Sequence, residues 1–189
     1  MSQLIESITA VVDLAPEEQS KIEAAFHPHL LKKGDYFIQS GEVCNRIAFV
    51  EHGQIRVYYS DESGDETTCH FAGKHEFTSS LTSMLTRAPS KDNFVALENT
   101  KLLIIERDAM DRLCEDIPQL HIWRRVLVEN IYIMMERRLS MMRNQSAQKR
   151  YETMIRENPD IILNVPLQYM ASFLGITPQH LSRLRKQIS

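Results

Sequence analysis

The chain has 189 residues, of which 43% are apolar and 25% charged, and its formal net charge is -3. This size and composition are typical of a globular protein with one domain of ordinary size and a small second one. They exclude a helical membrane protein, because no apolar run approaches the roughly 20 residues that a membrane-spanning helix needs.

The cysteines and the first residues indicate a reducing compartment. Cys44, Cys69 and Cys114 are odd in number and widely spaced, so no disulfide framework is expected. The first ten residues have neither a basic segment nor a long apolar core, so no secretory leader is expected. The sequence therefore predicts a cytoplasmic protein.

Residues 3–27 have apolar side chains at helical spacing. The stretch D-L-A-P-E-E from Asp13 predicts a new helix start, with Asp13 as the N-cap, a proline in the first turn and acidic residues near the helix N-terminus.

Between about residues 30 and 107 the pattern changes to short apolar or alternating runs. Five of the six glycines lie between these runs, seven to twelve residues apart. This spacing is typical of an antiparallel barrel or sandwich. The predicted strands are Tyr36–Ile38, Arg46–Val50, Gln54–Tyr59, Thr67–Phe71, Asn93–Leu97 and Lys101–Ile105.

Residues 107–143 return to a helical pattern. No glycine or proline follows Pro118 for about 40 residues, which predicts one long helix over about 117–143. Its apolar stripe is expected to pack along a second copy of the chain, and the alternative is packing on its own β-domain. The stripe comprises Leu120, Trp123, Leu127, Ile131, Met134, Met135, Leu139 and Met142.

The C-terminal segment has a different charge from the rest of the chain. From Arg143 onward there are seven Lys/Arg against three Asp/Glu, which leaves 15 against 22 for the preceding residues. A basic module on an acidic body favours binding of a polyanion, although chance clustering is the alternative. We predict two domains, 1–143 and 144–189, joined at the polar hinge 144–148.

The hinge is followed by three predicted helices. Lys149–Glu157 is expected to end at Asn158-Pro159, and Ile161–Val165 is expected to be a short strand or a buried connector. Pro166–Leu174 and Pro178–Gln187 are short helices joined by Gly175-Ile176-Thr177.

The last two helices have the features of a helix-turn-helix. Gly175 can adopt the left-handed conformation that ends a helix, and Thr177 can cap the next one. Leu181 and Leu184 are expected to face inward, which leaves the polar and basic side chains of the second helix exposed. The alternative is an ordinary helical hairpin with a solvated basic face.

The order of these parts resembles the Crp/Fnr family of bacterial transcription regulators. The resemblance lies in LLKKGDYFIQSGE (30–42), IAFVEHGQIRVY (47–58) and QYMASFLGITPQHLSRLRK (168–186). It implies an α+β fold: an antiparallel, jelly-roll-like β-roll similar to a cyclic-nucleotide-binding domain, a long dimerisation helix and a winged-helix-type helix-turn-helix. It also implies a homodimer that binds double-stranded DNA, with RNA polymerase as a further candidate partner.

The same resemblance assigns DNA contacts. Base readers and phosphate contacts fall on Pro178, Gln179, Ser182 and Arg183. Contacts to the DNA backbone fall on Thr177, His180, Arg185 and Lys186, and Gln168 is a further DNA-binding residue. Arg183 suits guanine O6 and N7, and Gln179 suits adenine or a phosphate. Family members often have an arginine where this chain has Pro178, so the half-site is expected to differ.

The effector site departs from the family pattern. Ser79-Ser80 replaces the Gly-Glu that holds a ribose, and Ser90-Lys91 replaces the Arg-Ser that holds a phosphate. Cyclic AMP is therefore disfavoured, whereas another small ligand and no ligand at all stay open, and no cofactor is expected. The candidate pocket comprises Phe77, Thr78, Ser79, Ser80, Leu81, Arg87, Ser90 and Lys91.

Metal and catalytic sites are not expected. His27 and His29 precede the predicted barrel without a third ligand, and Cys69 and His70 should point to opposite faces of a strand. No cysteine cluster suits iron–sulfur, and a haem sensor at His70 or His75 stays open. No catalytic residue is assigned, so an enzyme is disfavoured. The alternative function is a ligand-sensing module whose helical tail binds a protein.

Overall fold

The computed structural model of the protein describes residues 1–157 and 165–188. The helices are α1 Gln3–Thr9, α2 Pro16–Ala25, α3 Leu81–Thr86, α4 Arg107–Asp116, α5 Gln119–Asn144, α6 Ala147–Glu157, α7 Leu167–Leu174 and α8 Pro178–Ile188. The strands are β1 His27–Leu31, β2 Tyr36–Ile38, β3 Arg46–His52, β4 Ile55–Ser60, β5 Glu66–Ala72, β6 Phe77–Thr78, β7 Asn93–Ala96 and β8 Thr100–Glu106.

The strands form two four-stranded sheets. Their strand orders are β1-β8-β3-β6 and β2-β7-β4-β5. Strand β8 lies between β1 and β3 in antiparallel registers, so that Ile104 is opposite both His27 and Ala48. The predicted α+β class with an antiparallel β-roll is confirmed. Fully buried side chains from the strands form its core: Phe37, Ile38, Phe49, Ile55, Leu102 and Ile105.

The turn between β3 and β4 depends on a glycine. Gly53 has φ +92°, and a Cβ built there would lie 2.4 Å from Thr100 Oγ1 and 2.7 Å from Thr100 Cα. The positive φ and the close approach of β8 both favour a residue without a side chain.

The start of α2 corrects one prediction. The N-cap is Ala15, with φ -65° and ψ 154°, and not Asp13. Pro16 occupies the first helical position and forces the preceding residue into extended geometry, which makes that residue the cap. Glu18 Oε2 accepts a hydrogen bond from the Ala15 N–H at 2.7 Å, so an acidic side chain performs the capping.

The prediction that His27-Pro28-His29 precedes the barrel is wrong. These residues begin β1 and pair with β8. Proline reads as a strand breaker in sequence, but β1 is an edge strand, where a missing N–H costs no ladder hydrogen bond.

The long helix is confirmed as α5, and a separate helix, α4, precedes it. The predicted break between helices falls at Gln145–Ser146, between α5 and α6. No described helix is both long enough and apolar enough to span a membrane.

The chain divides into two compact units. One contains residues 1–57 and 72–130, and the other contains residues 58–71 and 131–189. The second unit thus includes the end of β4, nearly all of β5, the second half of α5 and the described helices after it. The domain boundary at 143/144 stays a prediction. The helix end at Asn158-Pro159 and residues 161–164 of the predicted connector lie outside the described residues.

Candidate nucleic-acid interface and effector cassette

Helix α7 ends in the turn that the sequence predicts. Gly175 has φ 66° and ψ 38°, its N–H donates to Ser172 O at 3.1 Å, and the N–H of Ile176 donates to Ala171 O at 3.0 Å. This pair of bonds is a Schellman motif, which satisfies two carbonyls at the helix C-terminus. The motif fixes the direction in which α8 leaves α7.

Helix α8 begins with a side-chain cap. Thr177 Oγ1 accepts from the His180 N–H at 3.2 Å. The apolar faces of α7 and α8 are buried, as the pattern predicts. The buried side chains of the pair are Met170, Ala171, Leu174, Leu181 and Leu184.

The opposite face of α8 is polar and accessible. Gln179, Arg183 and Lys186 are exposed and recur at helical steps of four and three, so they lie on one face. Among the described residues, neither Arg183 nor Lys186 has an ion-pair or hydrogen-bond partner. The other predicted contacts divide into exposed Gln168, Thr177 and Pro178 and half-buried His180, Ser182 and Arg185.

Two arginines that sequence reasoning missed hold the C-terminus of α7. Arg138 Nη2 donates to Phe173 O at 2.9 Å, and Arg150 Nε donates to Leu174 O at 3.1 Å. Cations near the last carbonyls of a helix stabilise it. No sequence pattern reveals these contacts, since α5 and α6 bring the two arginines to α7 from distant sequence positions.

Helix α5 has a continuous exposed apolar row. Its members recur at steps of four, three, four and three, which is the spacing of a coiled-coil seam. They are Val128, Tyr132, Met135, Leu139 and Met142, with exposures of 42%, 69%, 62%, 51% and 39%. Val128 and Tyr132 were not part of the predicted stripe. Of its other members, Met134 is exposed, Leu127 and Ile131 are half-buried, and Leu120 and Trp123 are buried.

Two serines of the predicted effector pocket, which we call the effector cassette, bind each other. Ser80 Oγ and Ser90 Oγ are 3.0 Å apart and both residues are buried. Ser90 Oγ also donates to Asp92 O at 2.9 Å, and Ser79 Oγ donates to Arg46 O at 2.9 Å. The hydroxyls that could hold a ligand are therefore occupied by protein groups. Burial raises the pKa of the nearby Asp92 carboxyl.

Both cations of the cassette are exposed. Arg87 is exposed, ends α3 with φ 63°, and donates through Nη1 to Asn45 Oδ1 at 2.6 Å. Lys91 is exposed and Thr78 is buried. The structure therefore brings Ser80 and Ser90 together but not the two cations with them.

An aromatic cluster lies at one end of the cassette. The Phe77 ring is 4.9 Å from both Phe49 and Trp123, and His75 stacks on Phe49 at 6.2 Å. Leu81 is half-buried at the start of α3. Sequence reasoning also missed Arg56 in β4, which is 2% exposed and is the only charged side chain among the buried described residues.

A metal site is not found in the part of the chain that the structure describes. No three His, Cys, Asp or Glu side chains there converge on one point.

Comparison with known proteins assigns the central segment to a domain family. Residues 28–116 match the model of the cyclic nucleotide-binding domain. No curated protein matches the sequence significantly.

Solved structures share the fold at low sequence identity. FixK2 from Bradyrhizobium japonicum has 14% identity and a TM-score of 0.77, covering 86% of this chain and 84% of its own. The c-di-GMP responsive global regulator CLP from Xanthomonas campestris has 13% identity and a TM-score of 0.75, covering 92% and 91%. A transcriptional regulator of the crp/fnr family from Eubacterium rectale has 19% identity and a TM-score of 0.71, covering 93% and 83%. The predicted resemblance is confirmed at the level of fold.

Proposed function

We propose that this chain, in which residues 28–116 form a domain of the cyclic nucleotide-binding family, is a homodimeric transcription regulator that binds DNA through α7 and α8. The observation that carries the proposal is the exposed polar face of α8, which bears Arg183 and Lys186 without protein partners among the described residues. A free guanidinium and a free ammonium on one helix face suit guanine edges and phosphates.

The geometry of the turn supports this reading over a plain helical hairpin. The Schellman motif at Gly175 and the cap at Thr177 set α8 at a fixed angle to α7. A recognition helix needs such a fixed angle, because its base contacts depend on how the first helix lies on the sugar-phosphate backbone of the DNA. Gln168, exposed in the first turn of α7, is suited to a phosphate contact.

The apolar row on α5 supports a dimer. Five apolar side chains with exposures of 39% to 69% on one helix are costly in water, and their spacing is that of a two-stranded seam. A second copy is the occupant that the regular 4-3-4-3 steps favour, because both helices then present the same row across a two-fold axis. Two α8 helices in one dimer would read a two-fold DNA site.

The side chains of the cassette disfavour cyclic AMP as the ligand. The family pattern of a glutamate for ribose and an arginine for phosphate is replaced by two serines that bind each other at 3.0 Å. We expect the natural signal to be either a ligand other than cyclic AMP or no small ligand. The proposal assigns no catalytic step to the chain.

DNA binding in a salt series tests the proposal. The full-length protein is titrated with mixed-sequence duplex DNA at increasing salt, and duplexes enriched by repeated selection define the site. We expect the logarithm of affinity to fall linearly with the logarithm of salt, because Arg and Lys release counterions from phosphates. A two-fold sequence should emerge from the selection. Absence of binding at low salt, or binding without salt dependence, would contradict the proposal.

A further inference from the structure

Helix α7 is fastened to the edge of β5 by one serine. Ser172 Oγ donates to Glu66 O at 2.8 Å and accepts from the Thr68 N–H at 2.8 Å. Strand β5 is at the end of its sheet, so its outer N–H and C=O groups have no neighbouring strand. The serine thus satisfies one donor and one acceptor of an open strand edge.

An arginine reinforces this junction. Arg138 Nη2 donates to Thr68 O at 3.1 Å and to Phe173 O at 2.9 Å, which connects α5, β5 and α7. Its guanidinium lies 4.0 Å from the Phe173 ring centroid, and that ring packs against Phe71 at 5.4 Å. Cation–π contact and hydrogen bonds to two carbonyls hold the side chain in place. Burial lowers the pKa of Arg138, as expected for a guanidinium withdrawn from water.

The hairpin that α7 contacts is strongly acidic. Its tip, D-E-S-G-D-E over residues 61–66, has four carboxylates and no cation, and all six residues are exposed. Ser172 bonds the last residue of this tip. Ser172 is four residues from Gln168, which is about 6 Å along the helix axis. Ser172 and Gln168 therefore lie on one face of α7, so the proposed phosphate contact and the bond to the acidic tip share that face.

We propose that Ser172, Arg138 and Phe173 form an autoinhibitory latch, which holds α7 against the acidic β4–β5 hairpin and thereby lowers the affinity of the helix-turn-helix for DNA. This inference rests on the proposed function, since it concerns how DNA binding is regulated. With the latch closed, DNA phosphates meet the hairpin carboxylates, and like charges repel. DNA binding then requires the latch to open, so the measured affinity is reduced by the open fraction.

The test is the variant Ser172→Ala, which removes both bonds to β5 and leaves α7 intact, since alanine is the best helix former. Two hydrogen bonds of ordinary strength correspond to about a tenfold shift of the equilibrium toward the open form. We expect Ser172→Ala to bind mixed-sequence duplex DNA about tenfold more tightly than the wild type at the same salt. The matched control is Ser140→Ala on the exposed surface of α5, which should leave the affinity unchanged.

A second variant tests the electrostatic part separately. Glu62→Gln removes one exposed hairpin charge without touching Ser172 or Arg138. It should also tighten DNA binding, by about twofold, with the gain lost at high salt.

The outcomes separate this inference from the proposed function. Equal or weaker DNA binding by Ser172→Ala, with a wild type that binds DNA, overturns the latch alone. If neither protein binds DNA at low salt, the proposed function fails and the latch fails with it. Hydrogen exchange at the Thr68 amide checks the contact itself, and we expect faster exchange in Ser172→Ala than in Ser140→Ala.

Discussion

At the scale of single residues, two glycines adopt positive φ angles at turns, where any other residue would be strained. Gly53 turns β3 into β4 with φ +92° under the backbone of Thr100, and Gly175 ends α7 with φ 66°. The two sites differ in what surrounds them. A Cβ at Gly175 would meet the flexible end of Met142, whereas a Cβ at Gly53 would meet backbone. Substitution is therefore expected to cost more at Gly53.

Gly53→Ala should destabilise the protein by at least about 2 kcal/mol, because it combines an unfavourable φ with an overlap that only a shift of β8 relieves. Gly34→Ala is the matched control, since Gly34 has φ +91° but open space around it. The control should cost about 1 kcal/mol. Urea unfolding of both variants measures the difference, and equal costs would mean that the Thr100 contact is unimportant.

Arg183→Ala should relax base preference at one position of the selected DNA site by roughly 1–3 kcal/mol, since a bidentate guanine contact is lost. Lys186→Ala should weaken binding to all sequences alike. Lys149→Ala on α6 removes the same charge from an exposed site outside α8 and should change neither readout. Competition binding with single-base variants of the selected duplex measures these effects. An unchanged preference in Arg183→Ala would show that another residue reads that base.

At the scale of elements, α5 has different partners along its length. Its first turns bury Leu120 and Trp123, and its later turns expose a seam at coiled-coil spacing. On the second half of the helix, Arg138 lies beside this seam and contacts β5 and α7. One helix thus carries both the exposed row, which we propose as the dimer face, and an adjacent side chain that contacts α7.

Leu139→Glu should weaken dimerisation by at least about tenfold, because each dimer would bury two unpaired carboxylates in an apolar seam. Asn130→Glu is the control: it adds the same charge at an exposed position that faces away from the seam. Sedimentation velocity over a concentration series measures the monomer–dimer equilibrium. A dimer of unchanged strength in Leu139→Glu would place the interface elsewhere on the chain.

At the scale of the whole molecule, charge is unevenly distributed between the C-terminal segment and the rest of the chain. Residues from Arg143 onward have an excess of cations in a chain whose overall charge is -3. In the effector cassette, Ser80 and Ser90 bind each other, and the cations Arg87 and Lys91 are exposed. We therefore expect the regulatory signal to reach α7 by a route other than cyclic AMP.

Cyclic AMP should not bind in the micromolar range, because its phosphate would be buried without a cation. Isothermal titration calorimetry of the full-length protein measures this, with adenosine as the uncharged control ligand. Equal and negligible heats are expected for both. Micromolar binding of cyclic AMP but not of adenosine would show that Arg87 or Lys91 reorients to hold the phosphate.

Much of the fold is predictable from the sequence because its signals are local. Glycine spacing, strand alternation and the helical period predict the β-roll, α5 and the turn at Gly175, since each depends on residues within a few positions of one another. The Asp13 cap and the position of His27 were wrong because Pro16 and the sheet edge override local preference. The exposed polar face of α8 was also predictable, from the period of Leu181 and Leu184.

The sequence by itself determined the strand and helix order and the basic C-terminal segment. Only the tertiary structure decided which hydroxyls of the cassette bind each other and which part of α5 stays exposed. It also decided that Ser172 and Arg138 join α7 to β5. These last contacts link residues 35 to 106 positions apart. Residue pattern reports periodicity along one segment, whereas such contacts depend on how separate segments pack, so no local signal predicts them.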